Sequence, residues 1–115
     1  MNYTGSCHCG KVAFEVEGTL EQVIECNCSH CSRKGYLLWF VNRSDVQLKM
    51  PREALATYTF NKHVIEHHFC PQCGCAPLGF GTDPKGAAKA AINVRCLENV
   101  DLAKLKVVPV DGRSY

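Results

Sequence analysis

Three thiols lie within six residues at Cys26-Asn27-Cys28-Ser29-His30-Cys31. The C-x-C-x2-C spacing is too tight for useful disulfide pairing. It is the spacing at which one small loop turns three sulfurs onto a single ion. Two more thiol pairs flank it, Cys7-His8-Cys9 upstream and Cys70-Pro71-Gln72-Cys73 downstream. The expected protein holds zinc twice, at one closed site and one open site, with chemistry at the open one.

Cys70-x2-Cys73-Gly74 has the spacing of a zinc knuckle, and its glycine lets the backbone turn sharply behind the second ligand. Cys7 and Cys9 are two apart, so in extended chain both point to one side. They could complete a four-thiolate tetrahedron with Cys70 and Cys73, a filled shell and hence a structural site. The competing reading is a set of buried free thiols.

Cys26, Cys28 and Cys31 offer three ligands and leave a fourth place open, the pattern of a catalytic zinc. Three thiolates on a dication leave the unit formally anionic, which weakens its pull on a carbonyl or water. Such a unit suits a thiol substrate held as its thiolate near neutral pH. The alternative is a closed site with His8, His30 or Cys75 as fourth ligand. Of the remaining thiols, Cys75 could approach either metal, and Cys96 reads as a small buried hydrophobe. His63 and His67 alternate along an expected strand, either as ligands or, as is commoner, on a solvated face. Arg33-Lys34 is solvated charge or a contact for an anionic ligand.

These turns need strands to hold them. Lys11 to Glu17 alternates, with Val12, Phe14 and Val16 on the inward face, between Gly10 and Gly18. Gln22 to Glu25 reads as a strand entering the cysteine cluster, and Arg33-Lys34-Gly35 as an exposed turn. Tyr36 to Val41 reads as a buried, aromatic-rich strand. Val46, Leu48 and Met50 mark another, ended by Pro51. Ala54 to Phe60 and His63 to Phe69 read as a hairpin around Asn61-Lys62, leading into Cys70. The glycines after Cys73 suggest an irregular loop through Gly81. Ala90 to Val94 is a late strand, Leu97 to Leu105 holds a short helical turn, and the tail from Pro109 is loop-like. The sum is a mostly β single domain over residues 1–115, with zinc-binding turns between strands.

With 115 residues, a single modest core is expected. Nine cysteines in so short a chain allow metal to supply stability the core cannot. The first six residues lack the basic and apolar regions of a signal peptide, and the apolar run at Tyr36–Val41 is too short to span a bilayer. A cytoplasmic protein with reduced thiols is expected. The net charge of +2 is scattered, so neither nucleic acid nor membrane is an expected partner.

Taken together, Gly5-Ser6-Cys7-His8-Cys9-Gly10, Cys26-x-Cys28-x2-Cys31 and Phe69-Cys70-x2-Cys73-Gly74 resemble the glutathione-dependent formaldehyde-activating family, which includes centromere protein V. The resemblance runs from Gly5 to about Leu102. It implies a β-tent fold of antiparallel sheets around zinc. It further implies a structural zinc on Cys7, Cys9, Cys70 and Cys73 and a second, catalytic zinc on Cys26, Cys28 and Cys31. The activity implied is a carbon–sulfur lyase of the S-(hydroxymethyl)glutathione synthase type, joining glutathione to formaldehyde. The position of Cys75 is more often Thr or Ser in that family.

The first functional expectation is therefore a zinc enzyme that joins glutathione, or a related small thiol, to an aldehyde. Glutathione is anionic, so Arg33, Lys34 and Arg95 are candidates to hold its carboxylates. A second is a non-catalytic zinc module for interactions. A third is thiol redox chemistry at Cys96, because Arg95-Cys96-x2-Asn99 resembles the catalytic segment of B-type methionine sulfoxide reductases.

Overall fold

The alternating run before Gly18 folds as its pattern dictates. In the computed structural model, which describes residues 1–60 and 65–112, it ends in strand β2 (Ala13–Glu17). Val12, Phe14 and Val16 are exposed by 1% or less. Strands β1 (Asn2–Ser6) and β5 (Val46–Leu48) flank β2 antiparallel, in the order β1-β2-β5.

The second sheet carries the cysteine turns. Its strands are β3 (Gln22–Cys26), β4 (Leu38–Asn42), β6 (Ala56–Tyr58), β7 (Glu66–Phe69), β8 (Leu78–Thr82), β9 (Ala88–Asn93) and β10 (Lys106–Val110). They lie in the order β10-β3-β4-β9-β8-β7-β6. Every pair is antiparallel except β10 with β3, which is parallel. The apolar faces of the sheets meet at Phe14, Val16, Trp39, Val41, Phe80 and Ile92, and a bridge from Gly5 to Leu97 joins them. The mostly β expectation holds. The expected hairpin before Cys70 exists as the β6–β7 pair, in register Ala56 to Phe69. The expected turn at Asn61-Lys62, and His63 with it, lie outside the described residues. The helical turn expected after Leu97 is a single 3-10 turn at Leu102–Lys104.

Three segments differ from expectation. The glycine-rich stretch after Cys73 is not irregular throughout, because Leu78–Thr82 forms β8 between β7 and β9. A Cβ on Gly79 would sit 3.0 Å from the Glu66 carbonyl oxygen, so the small residue there permits close strand packing. The tail is not loop-like, because Lys106–Val110 forms the edge strand β10. An edge accommodates Pro109, whose nitrogen has no proton to donate to a ladder. The exposed turn at Arg33-Lys34-Gly35 is the end of a helix, α1 (Ser29–Lys34). Cys28 caps it, with its Sγ accepting the Cys31 N–H at 3.3 Å. Gly35 ends it in the left-handed region (φ 69°), where glycine carries no steric penalty.

Candidate metal centres and their cavities

The sheet brings the expected thiols into two sets. Sγ atoms of Cys7, Cys9, Cys70 and Cys73 all lie within 4.8 Å of one another, and so do those of Cys26, Cys28 and Cys31. Within the first set, Cys7 and Cys9 are 3.7 Å apart and Cys9 and Cys70 3.6 Å. A tetrahedral zinc with bonds of about 2.3 Å requires sulfurs roughly 3.8 Å apart. The donors are soft, correctly spaced and four in number, so this set fits a closed zinc shell.

Local backbone builds the four-thiol set from both ends. The loop before β2 folds back so that the Val12 N–H donates to Cys7 Sγ at 3.3 Å. On the knuckle, N–H groups of Cys73 and Gln72 donate to Cys70 Sγ, each at 3.4 Å. The Cys73 N–H leads in pulling the Cys70 thiol below its ordinary range, against desolvation. N–H groups of Cys75 and Cys9 bring Cys73 down to about 5. Gly74 takes the expected positive φ (81°) behind the knuckle. Cys7 and Cys70 are buried with Val12 and Leu55, while Cys73 is half-buried and Cys9 exposed, so the set is anchored in core on its Cys7–Cys70 side.

The three-thiol set stands where β3 runs into α1. Cys28 Sγ accepts the Cys31 N–H, and Cys26 Sγ accepts the Cys28 N–H at 3.5 Å. Desolvation raises the Cys28 thiol, but hydrogen bonds from the Cys31 and His30 N–H groups and from the Cys31 and Cys26 thiols together outweigh it, and the net direction is down. Cys31 moves up, because it is buried and because Cys28 and Cys26 stand beside it. Three thiols so placed resist ionising together. A dication relieves that conflict, which is the sense in which this set also fits a metal.

None of the fourth ligands considered from sequence joins the three sulfurs among the described residues. His8 is exposed on the first loop. His30 turns onto rings instead, 4.2 Å from His67 and 5.2 Å from Phe60 between centroids. Cys75 packs with Cys7, Val12, Leu55 and Cys70, and its carbonyl accepts the Cys70 N–H at 2.9 Å. Cys96 is half-buried, and burial pushes its thiol up to about 11, with nearby Cys75 adding to the rise. A nucleophilic cysteine needs the opposite shift, which runs against redox chemistry there.

The open side of the three-thiol set faces two cavities. One, about 360 Å³, is lined by Cys26, Cys28 and Cys31 with Ile24, Leu38, Phe40, Phe60, Ile65 and Leu78, and by His67 and Asn93. The other, about 490 Å³, shares Cys26, Cys31 and Tyr36 and adds Glu25, Asn27, Ser32, Arg95 and Asp111. Sequence reasoning missed the strap between them. The chain runs on from the end of β10 through Asp111 to Gly112, tied by the Asn27 N–H to the Val110 carbonyl (3.2 Å) and by Asn27 Nδ2 to Asp111 Oδ1 (3.0 Å). A Cβ on Gly112 would run into Cys26 Sγ and stand 3.3 Å from Cys28 Cβ.

The three cations expected at a substrate do not converge. Arg95 lines the polar cavity beside Cys26 and Cys31, with its Nε donating to the Gly35 carbonyl at 3.0 Å. Arg33 and Lys34 line a third cavity with His30, Tyr58, His67 and His68. Arg33 also donates to the Ser29 carbonyl of its own helix at 2.7 Å. His67 does not lie on a solvated face. Desolvation first, then His30, His68 and Lys34, push it down to about 4.

A family model described as glutathione-dependent formaldehyde-activating enzyme matches residues 2–109. A crystal structure of a Rhodobacter sphaeroides protein superposes with a TM-score of 0.79 at 31% identity, covering 92% of this chain and 97% of that one. Among the described residues, no helix is long and apolar enough to cross a membrane.

Proposed function

The chain belongs to the glutathione-dependent formaldehyde-activating family, and on that premise we propose that it is a zinc-dependent carbon–sulfur lyase joining a small thiol such as glutathione to an aldehyde. Cys7, Cys9, Cys70 and Cys73 hold a structural zinc, and Cys26, Cys28 and Cys31 a second one. The observation that carries the reading is the three-thiol set. It has no fourth protein ligand among the described residues and it faces two cavities.

When bound there, zinc supplies a place where a substrate thiol is held ionised near neutral pH. The chain does the rest. N–H groups of Cys28 and Cys31 hold the sulfur ligands in place. The strap at Asp111-Gly112 closes the loop against β10. Arg95, beside Cys26 and Cys31, is the cation available to a glutathione carboxylate at the polar cavity. Arg33 and Lys34 would reach an anion only at the third cavity. Proximity of thiolate and carbonyl supplies the rate.

Calorimetry on zinc-loaded protein tests this reading. Glutathione should bind without any aldehyde and release a proton, seen as a heat that depends on the buffer's ionisation enthalpy. S-methylglutathione, whose sulfur cannot ionise, should bind much more weakly. Equal affinities, or no proton release, would contradict thiol capture. No binding of any small thiol would leave a non-catalytic zinc module.

A further inference from the structure

The cavity of about 360 Å³ beside the three thiols has walls of a different character from the polar one. Ile24, Leu38, Phe40, Phe60, Ile65 and Leu78 are its large apolar side chains. Among the described residues it is lined by no cation and no carboxylate. Apart from the thiols, Tyr36, His67 and Asn93 are its polar side chains. Asn93 is already spent within the fold, donating to the Ala76 carbonyl at 3.2 Å and accepting the Arg95 N–H at 3.3 Å. Phe40 and Ile65 stand at 51% and 52% exposure, apolar surface that a ligand would cover.

Glutathione, with two carboxylates and an ammonium, is poorly matched to these walls. The polar cavity on the other side of the strap offers Arg95, Glu25 and Asp111 and meets the same Cys26 and Cys31. Formaldehyde has no carbon chain to bury, so it gains nothing from an apolar wall. An apolar cavity of about 150 Å³ already takes benzene, and this one is more than twice that size.

Resting on the proposed thiol–aldehyde reaction, we infer that the aldehyde taken at this site has roughly eight to twelve carbons in all, its apolar chain seated in this cavity, while the polar thiol enters from the other. The step balances without an oxidant. The thiolate sulfur bonds to the carbonyl carbon, the carbonyl π pair moves to oxygen, and the proton released by the thiol ends on that oxygen. The product is a hemithioacetal, and the reverse reaction releases the same aldehyde.

Each methylene buried is worth about fourfold in binding. Zinc-loaded protein with glutathione should therefore show kcat/KM for octanal at least about a hundredfold above that for formaldehyde, with hemithioacetal exchange followed by NMR. Ala91 lines the cavity on β9, and Ala91→Trp should fill it and bring that ratio down toward one. Binding of 1-octanol to the same protein, read by calorimetry, should be seen in the wild type and lost in Ala91→Trp. Similar kcat/KM for octanal and formaldehyde would overturn the inference and leave the thiol–aldehyde reaction standing. A ratio that Ala91→Trp leaves unchanged would do the same. If no aldehyde reacts, the proposed reaction fails. Octanol binding that is lost in Ala91→Trp would then still identify an apolar ligand site, and absence of octanol binding would overturn the inference as well.

Discussion

Cys7 and Cys70 are exposed by 3% and 0% in a cluster with Val12 and Leu55, and their partners come from turns more than sixty positions apart. Cys26 and Cys28 are half-buried and come from one turn with Cys31, and the set borders two cavities, one reached by all three thiols and the other by Cys26 and Cys31. Both sets hold sulfur with backbone N–H donors. Their difference lies in what the thiols join. The four-thiol set ties the loop before β2 to the knuckle after β7 and is backed by core at Cys7 and Cys70, with Cys9 at the surface. The three-thiol set ties only β3 to α1 and leaves one side to ligands. Metal at the first should be coupled to folding, and metal at the second to binding.

Single substitutions can break that contrast. Cys70→Ser removes a ligand linking distant turns, and should cost about 5 kcal/mol or more, the scale of a whole domain's stability. Cys28→Ser should leave a folded chain with less zinc, because serine keeps a capping oxygen for the Cys31 N–H. Denaturant unfolding with metal analysis on both variants measures it. Equal unfolding would make the second site structural. In gently purified wild type, between one and two zinc per chain are expected, with the three-thiol set losing its ion first.

Gly112→Val sharpens the comparison from outside the ligands. A side chain there meets Cys26 and Cys28, so zinc affinity at the three-thiol set should fall about tenfold or more while the four-thiol set keeps its ion. A competing chelator titration separates the two. Loss of both ions together, or of neither, would remove the strap from the site.

The thiols were legible in sequence because their spacing is local and metal geometry is strict. β2 was legible because its alternation matches a half-buried strand. α1 was not, since six residues hold too few turns for a periodic pattern and its cap is a thiol. β8 was hidden by Gly79 and Gly81, the first of which leaves room for the backbone of β7. β10 was hidden by Pro109, which an edge tolerates. The cavities were illegible for a different reason. The apolar one is walled from β3, β4, β7, β8, β9 and β10 and the polar one from β3, α1 and β10, and no short stretch records either meeting. His67 was assigned to solvent because its ring partner, His30, arrives from α1.

A smaller effect separates the cavity from the knuckle by pH. His67 is held down at about 4, chiefly by desolvation, from an ordinary 6.5. Above pH 6.5 both folded and unfolded chains carry it neutral, and its contribution is fully present. As pH falls from about 6.5 to 4 the unfolded chain takes up the proton first, so stability is lost across that window. His67→Phe, which keeps a ring beside His30 and Phe60, should flatten this part of the stability–pH curve relative to wild type. Parallel curves would show that His67 carries no such linkage.

The sharpest test of one closed and one open site is optical. Cobalt substituted for zinc reports thiolate ligands through sulfur-to-metal charge-transfer absorption. Glutathione added to fully loaded protein should raise that absorption by one thiolate's worth, S-methylglutathione should not, and Cys28→Ser should abolish the response while Cys96→Ser keeps it. An unchanged spectrum on adding glutathione, or an equal response in Cys28→Ser, would contradict the account.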